Sequence, residues 1–229
     1  MARLKSNASE VAFQHIKGKI DRFDLVPGDT VSDLAFSQEL EMSRTPIREA
    51  IQNLEMIGLV QKERTRYTVT PVTQKDVTDI FIARIAIEKA AIECIMNRNG
   101  LRPAELEEIR RIHEDIRTCL MKGDFSRGFS EDAHFHRTLV SYSWNTRLIE
   151  FMKTLASQGE RLRWLSILNA KRPEGTISEH ESLIHYIEMK DLDSAIYYIE
   201  KHLYGTLNEY RDTLADDYWL EKILQLKNL

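Results

Sequence analysis

Residues 41–60 read EMSRTPIREAIQNLEMIGLV, and this stretch decides how the first third of the chain folds. Ile47, Ala50, Ile51 and Leu54 recur at helical spacing and form one apolar face. Arg44, Arg48 and Gln52 lie four apart and form a separate row that misses that face. Ser43 or Thr45 can cap the N-terminus, Pro46 suits the first turn, and Gly58 is a stop signal. The spacing predicts a capped helix that shows solvent a short basic and polar row. Two arginines on a helix surface are ordinarily a solvated face, so the neighbouring segments decide their meaning.

Upstream, the pattern predicts a helix over about residues 9–23, a turn at 26–29 (VPGD) and a short helix over 33–40. Downstream, two strand-like runs, 59–63 and 67–72, are joined by Arg64-Thr65-Arg66. Two helices with a tight link at Glu41-Met42, then a basic hairpin, make a winged helix-turn-helix pattern. In such a unit the second helix enters the major groove by its N-terminal end. Ser43, Arg44, Thr45 and Arg48 lie at that end and are the candidate DNA-reading residues. Lys62, Arg64 and Arg66 lie in the hairpin, where phosphate contacts are expected.

Composition sets the bounds. The chain has 229 residues, 42% hydrophobic and 30% charged, enough for one large or two small domains with real cores. No apolar run is long enough to span a bilayer, and the first residues, MARLKSNASEVAF, lack the apolar core of a signal peptide. Cys94 and Cys119, the only two cysteines, sit amid helical pattern, which fits free thiols in a cytoplasmic protein. The net charge of −4 does not advertise nucleic-acid binding. Residues 1–73 carry ten Lys/Arg against ten Asp/Glu, and the remainder 22 against 26. Any DNA contact therefore comes from a local basic patch, and one copy alone would bind weakly.

The character changes near residue 73. From 74 onward the chain reads as helix: 74–98, 103–122, 124–142, 145–169, 177–189, 191–212 and 216–227. Breaks are expected at Asn99-Gly100, Gly123-Asp124, Trp144-Asn145 and Arg172-Pro173-Glu174-Gly175. Ser178-Glu179-His180-Glu181 has the form of a capping box, so a helix start is expected there. The fold class is mainly α: a winged helix-turn-helix over 1–73 with a small β-hairpin wing, then an all-α antiparallel bundle over 74–229.

Polar residues on the apolar stripes of this second part point to chemistry. At about 100° per residue, Asp132 and His136 share a stripe with Phe135, Leu139 and Val140. His180 lies with Leu183, Ile184 and Ile187, and His202 with Ala195, Tyr198 and Ile199. A lone histidine on an apolar face is usually a satisfied core residue. One Asp and three His on three inward stripes instead make a ligand set suited to a divalent transition metal, zinc first, with nickel or manganese as alternatives. His134 and His185 fall on polar faces and serve as a contrast. Arg84 and Glu88 share a stripe with Phe81, Ala91, Ile92 and Ile95. They are either a buried ion pair that sets helix packing, or a pair facing an anionic effector near the metal, with Arg84 meeting the anion.

The first part resembles the GntR superfamily of bacterial transcription regulators. That signature runs roughly as proline-glycine, a short helix, then SRTPxREAxxxLxxxGLV. Here it reads Pro27-Gly28 and then Ser43 to Val60, nearly unbroken. The second part resembles the ligand-binding bundle of the FadR-type subfamily. The residues that carry this likeness are Arg84 with Glu88, Asp132 with Phe135 and His136, Asn145, Glu179-His180 and His202-Leu203. The resemblance covers about residues 9–210. It implies a homodimeric repressor or activator of operator DNA. Metal-bearing members sense small carboxylates, and members without the ligands bind acyl-CoA. Three departures stand out. Glu41 replaces a usual turn glycine, Arg66 replaces the usual wing glycine, and 213–229 extends past the usual end as either an amphipathic helix (Trp219, Ile223, Leu226) or a frayed tail.

The expected function is a cytoplasmic transcription regulator, a homodimer without membrane attachment. Its operator affinity is expected to respond to a small organic acid bound at the metal. The alternative is a metal-dependent enzyme using the Asp/His site. It lacks an additional general base on these stripes, a nucleophile motif and a Gly-rich phosphate loop, and it leaves the first part unexplained.

Overall fold

The computed structural model describes residues 2–162, 165, 167 and 172–227. It divides into two compact units, 1–72 and 73–229. In the first unit, α1 (Ala2–Asp21), α2 (Asp33–Glu39) and α3 (Arg44–Met56) precede β1 (Val60–Glu63) and β2 (Arg66–Val69). Ala12, Ile16 and Ile20 of α1 pack with Phe36, Ile47, Ala50, Ile51, Leu54, Leu59, Val60 and Val69 in one core. The apolar face of residues 41–60 is therefore buried, and Ile47, Ala50 and Leu54 are fully excluded from solvent.

The ends of these elements follow local chemistry. Ser32 caps α2 by accepting from the Ala35 N–H. Ser43 holds the N-cap position of α3, yet its side chain makes no capping bond, and Thr45 lies inside the helix. Neither expected cap forms. Glu41 occupies the turn where a glycine is usual, with φ +51°, a left-handed conformation that strains a residue with a Cβ. The two strands pair antiparallel with Val60 opposite Val69 and Glu63 opposite Arg66. The wing tip is thus two residues, Arg64 and Thr65, rather than three. Arg66 belongs to the strand, and Arg64 takes the positive φ, +57°, that a wing glycine would supply.

The second unit is helical throughout its described residues: α4 (Gln74–Asn97), α5 (Pro103–Met121), α6 (Phe125–Ser141), α7 (Thr146–Gly159) with a 3-10 turn (Glu160–Leu162), α8 (Pro173–Met189), α9 (Leu192–Leu214) and α10 (Trp219–Lys227). A reciprocal Thr73–Asp76 capping box starts α4. Asp124 and Asp191 cap α6 and α9 through their carboxylates. α4 packs on α9, α6 and α7, α5 on α6 and α8, and α8 on α9.

One helix start differs from expectation. The helix expected at 177 begins at Pro173, with Arg172 as its N-cap. Pro173 sits in the first turn, where its missing N–H costs nothing. Ser178 is therefore interior and donates to the Gly175 carbonyl instead of capping. The helix expected over 145–169 is α7 and its 3-10 turn, and most of 163–171 lies outside the described residues. Within the extension, α10 (Trp219–Lys227) is helical, with Ile223 fully buried.

Candidate metal centre and nucleic-acid interface

Asp132, His136, His180 and His202 come together from α6, α8 and α9, with one donor atom of each within 4.8 Å of all the others. Asp132 and His136 share α6 because they are one helical turn apart. The Nε2 atom of His202 lies 3.2 Å from that of His136 and 3.3 Å from that of His180. Asp132 carboxylate oxygens lie 3.7 Å from His136 Nε2, 3.5 Å from His180 Nε2 and 3.8 Å from His202 Nε2. Two donors about 2.1 Å from one ion, roughly 90–110° apart, are themselves separated by about 3.0–3.4 Å. The spacing suits a single ion with slight contraction. Asp132 Oδ1 is buried and accepts no hydrogen bond from the described residues, an orphaned polar atom that a cation would satisfy. Burial pushes the His180 imidazole well toward neutrality, and the charges of His202, His136, His113 and Arg84 push it further. Burial likewise lowers the pKa of His136. Neutral imidazoles with converging lone pairs are metal donors rather than mutual hydrogen-bond partners.

Each histidine is held by a different device. Glu88 Oε2 sits 2.5 Å from His136 Nδ1, and Glu88 Oε1 accepts from Arg84 Nε at 2.6 Å. Burial alone would raise the Glu88 pKa, but His136 and Arg84 outweigh it and hold the carboxyl at about 2. Because His136 is itself pushed toward neutrality, Arg84 supplies the charge and His136 donates its Nδ1–H. Around His202 the arrangement repeats more loosely. Arg172 Nη2 donates to Glu179 Oε1 at 2.5 Å, and Glu179 Oε2 faces His202 Nδ1 at 3.4 Å without a hydrogen bond. The Arg172 guanidinium lies against Gly205, where a Cβ would meet Nη1 at 1.9 Å. His180 Nδ1 finds no hydrogen-bond partner among the described residues. Its ring is fixed instead by stacking on Phe135, centroids 4.2 Å apart.

A cavity opens beside the centre. Asp132, His202 and Arg84 line it, with Arg137, Thr206 and Glu209 among its other polar walls. Glu88, expected beside an effector, is fully buried and absent from this lining; both its oxygens are committed to Arg84 and His136. His185 is exposed and His134 half-buried, and neither joins the cluster. Sequence reasoning misses Glu179 as a buttress, although it precedes His180, and misses Arg172, which lies in an expected break. It also passes over His113, whose ring centroid lies 6.1 Å from that of His180.

In the first unit, Arg44, Arg48, Lys62, Arg64 and Arg66 line one cleft between α3 and the hairpin. Ser43 and Thr45 are exposed at the start of α3 but do not line it. One acid joins the basic residues. Asp33 accepts from Arg44 Nε at 3.2 Å and from Arg44 Nη2 at 2.8 and 2.9 Å, and from Arg48 Nε at 2.6 Å. The hydrogen bond from Arg44 is the largest influence lowering the Asp33 pKa. The sequence pattern marks Asp33 only as the start of a helix.

Comparison with known proteins agrees with this layout. Residues 8–69 match the model for bacterial regulatory proteins of the gntR family, and residues 79–205 match the FCD domain. The HTH-type transcriptional regulator YdhC of Bacillus subtilis is 24% identical over 192 residues, covering 83% of this chain and 85% of its own. The gluconate operon transcriptional repressor of Bacillus licheniformis is 24% identical over 225 residues, covering 96% and 88%. Among solved structures, E. coli McbR/YncC superposes with TM-score 0.73 at 19% identity over 90% of this chain and 97% of that one. No helix among the described residues is long and apolar enough to cross a membrane. A helix-turn-helix of this kind followed by an FCD bundle makes the chain a transcriptional regulator of the GntR family.

Proposed function

We propose that a small organic acid, bound beside a divalent metal in the helical bundle, controls the affinity of this regulator for operator DNA. Asp132, His136, His180 and His202 would hold the ion, zinc first, with nickel or manganese as alternatives. The observation that carries the reading is the buried Asp132 Oδ1, without a hydrogen bond from the described residues, among three imidazole nitrogens at the wall of a cavity that Arg84 also lines. When bound, the ion supplies a Lewis-acidic anchor for a carboxylate oxygen. Arg84 is positioned to take the rest of the anion, because Glu88 engages its Nε and holds the side chain in place.

An acid in that cavity touches α4, α6 and α9 at once. It shifts DNA binding only if it favours one arrangement of the protein over another. A coupling of ~1–3 kcal/mol changes operator affinity roughly 5–150-fold. The chain acts as a homodimer on a short pseudo-palindrome, since a charge-neutral DNA-binding unit needs two half-sites for useful affinity. Ser43, Arg44, Thr45 and Arg48 face base edges, and Lys62, Arg64 and Arg66 face phosphates. The repressor name of a relative that spans the same length favours repression.

The test is DNA binding by metal-loaded and metal-stripped protein, titrated with a panel of two- to six-carbon acids. The expected result is a response to one class of acid in the loaded protein alone, absent in Arg84→Ala although that variant keeps its metal. A response that survives complete metal removal would place the effector elsewhere.

A further inference from the structure

We propose that Asp33 is a specificity-determining residue of the DNA-binding unit, an acidic clamp that presents Arg44 and Arg48 to base edges and withholds them from phosphates. The inference rests on the reading of α3 as the DNA-reading helix.

A guanidinium has five N–H donors on a planar frame. Arg44 turns one side, Nε with Nη2, to Asp33 and keeps its end, Nη1 with the second Nη2 hydrogen, outside the clamp. That free end is the fork that meets O6 and N7 of guanine. Arg48 is held by its Nε and leaves both terminal nitrogens outside. Asp33 is shared by both arginines while their side chains remain at least half exposed, so the clamp restrains them without burying them.

Charge acts in the same direction. The cleft holds Arg44, Arg48, Lys62, Arg64 and Arg66 around this single acid. A phosphate that draws Arg44 or Arg48 to itself brings a full negative charge toward the Asp33 carboxylate and strips it of its partners. A guanine edge carries no net charge and can accept from the free fork while the clamp stays closed. Asp33 therefore penalises contacts that carry no sequence information more than those that do. It weakens random binding and leaves sequence-dependent binding largely intact.

The experiment uses the full chain. Wild type, Asp33→Asn, Asp33→Ser, Arg44→Ala and Arg48→Ala each select sequences from a randomised duplex library. Affinities are then measured for the wild-type-selected duplex and for a mixed-sequence duplex across a salt series. Asp33→Ser keeps an oxygen in the first turn of α2 without charge, and thermal melts establish that each variant is folded at the assay temperature. Asp33→Asn and Asp33→Ser are expected to bind mixed-sequence DNA more tightly. The ratio of selected to mixed affinity should fall on the order of tenfold, and the salt slope should steepen by about 0.9 for each additional phosphate engaged. An unchanged ratio, or equal weakening on both duplexes, overturns the proposal. If Arg44→Ala and Arg48→Ala select and bind as wild type does, α3 does not read DNA. That result rejects the underlying assignment itself, separately from the role of Asp33.

Discussion

Asp33 and Glu88 carry out similar chemistry in two different settings. Each is a carboxylate that engages an arginine and one further group, Asp33 with Arg44 and Arg48, Glu88 with Arg84 and His136. Asp33 does so at the surface, where water competes and the free ends of both arginines stay exposed. Glu88 has no exposure at all, and its partner Arg84 lies in the wall of a cavity. One motif thus serves as a solvated clamp or as a fixed buttress, depending on solvent access. On the proposed reading, the first kind stands where the regulator would meet DNA and the second where four candidate metal-ligand side chains are held in place.

Clamp and buttress are expected to differ most in stability. Glu88→Gln removes a fully buried carboxylate from Arg84, whose side chain keeps 17% exposure in the cavity wall, and is expected to cost up to about 3–5 kcal/mol. Asp33→Asn should cost less than about 1 kcal/mol, because its partners are solvated. Denaturant titrations of the two variants measure both, and similar losses would erase the distinction between clamp and buttress.

DNA affinity comes next. Arg44→Ala and Arg48→Ala should each cost about 1–3 kcal/mol on a selected sequence and relax preference at particular positions. Footprinting on that sequence checks this, and full retention of binding by both variants would count against α3 as the reading helix. Arg64→Ala should instead weaken all sequences alike and flatten the salt slope by about 0.9.

Within the bundle, the second buttress gives a prediction of opposite signs. An alanine Cβ at position 205 would displace the Arg172 guanidinium from Glu179. Gly205→Ala should lower metal affinity about 10–100-fold by loosening His202. The same change replaces a helical glycine and should raise helix stability by up to about 1 kcal/mol. Metal affinity by calorimetry and stability by thermal melt separate the two effects. Unaltered metal affinity would show that the Arg172–Glu179 arm contributes nothing to the site.

Much of this architecture is legible in the sequence because helical facing is local. The 3.6-residue period puts Asp132 and His136 on one stripe, and it marks Ile47, Ala50, Ile51 and Leu54 as core. The hairpin and the helix-turn-helix follow from turn chemistry at neighbouring residues. What facing does not show is which stripes meet, or which partners a charge finds seven or more residues away. Asp33 is invisible as a clamp for that reason, and Glu179 as a buttress. The start of α8 is obscured because Ser178-Glu179-His180-Glu181 imitates a cap, while Pro173 carries the competing signal for a first helical turn. Arg66 looks like part of the wing tip because nothing local announces a left-handed φ at Arg64, a position where glycine would be the less strained residue.

Metal content across five histidine variants decides whether the bundle interior is a metal site assembled by helical facing. His136→Ala, His180→Ala and His202→Ala are each expected to lose the ion or bind it far more weakly when purified protein is assayed by elemental analysis and native mass spectrometry. His134→Ala and His185→Ala should retain the wild-type stoichiometry. Equal metal content in all five would contradict the site and, with it, the metal-dependent control of DNA binding.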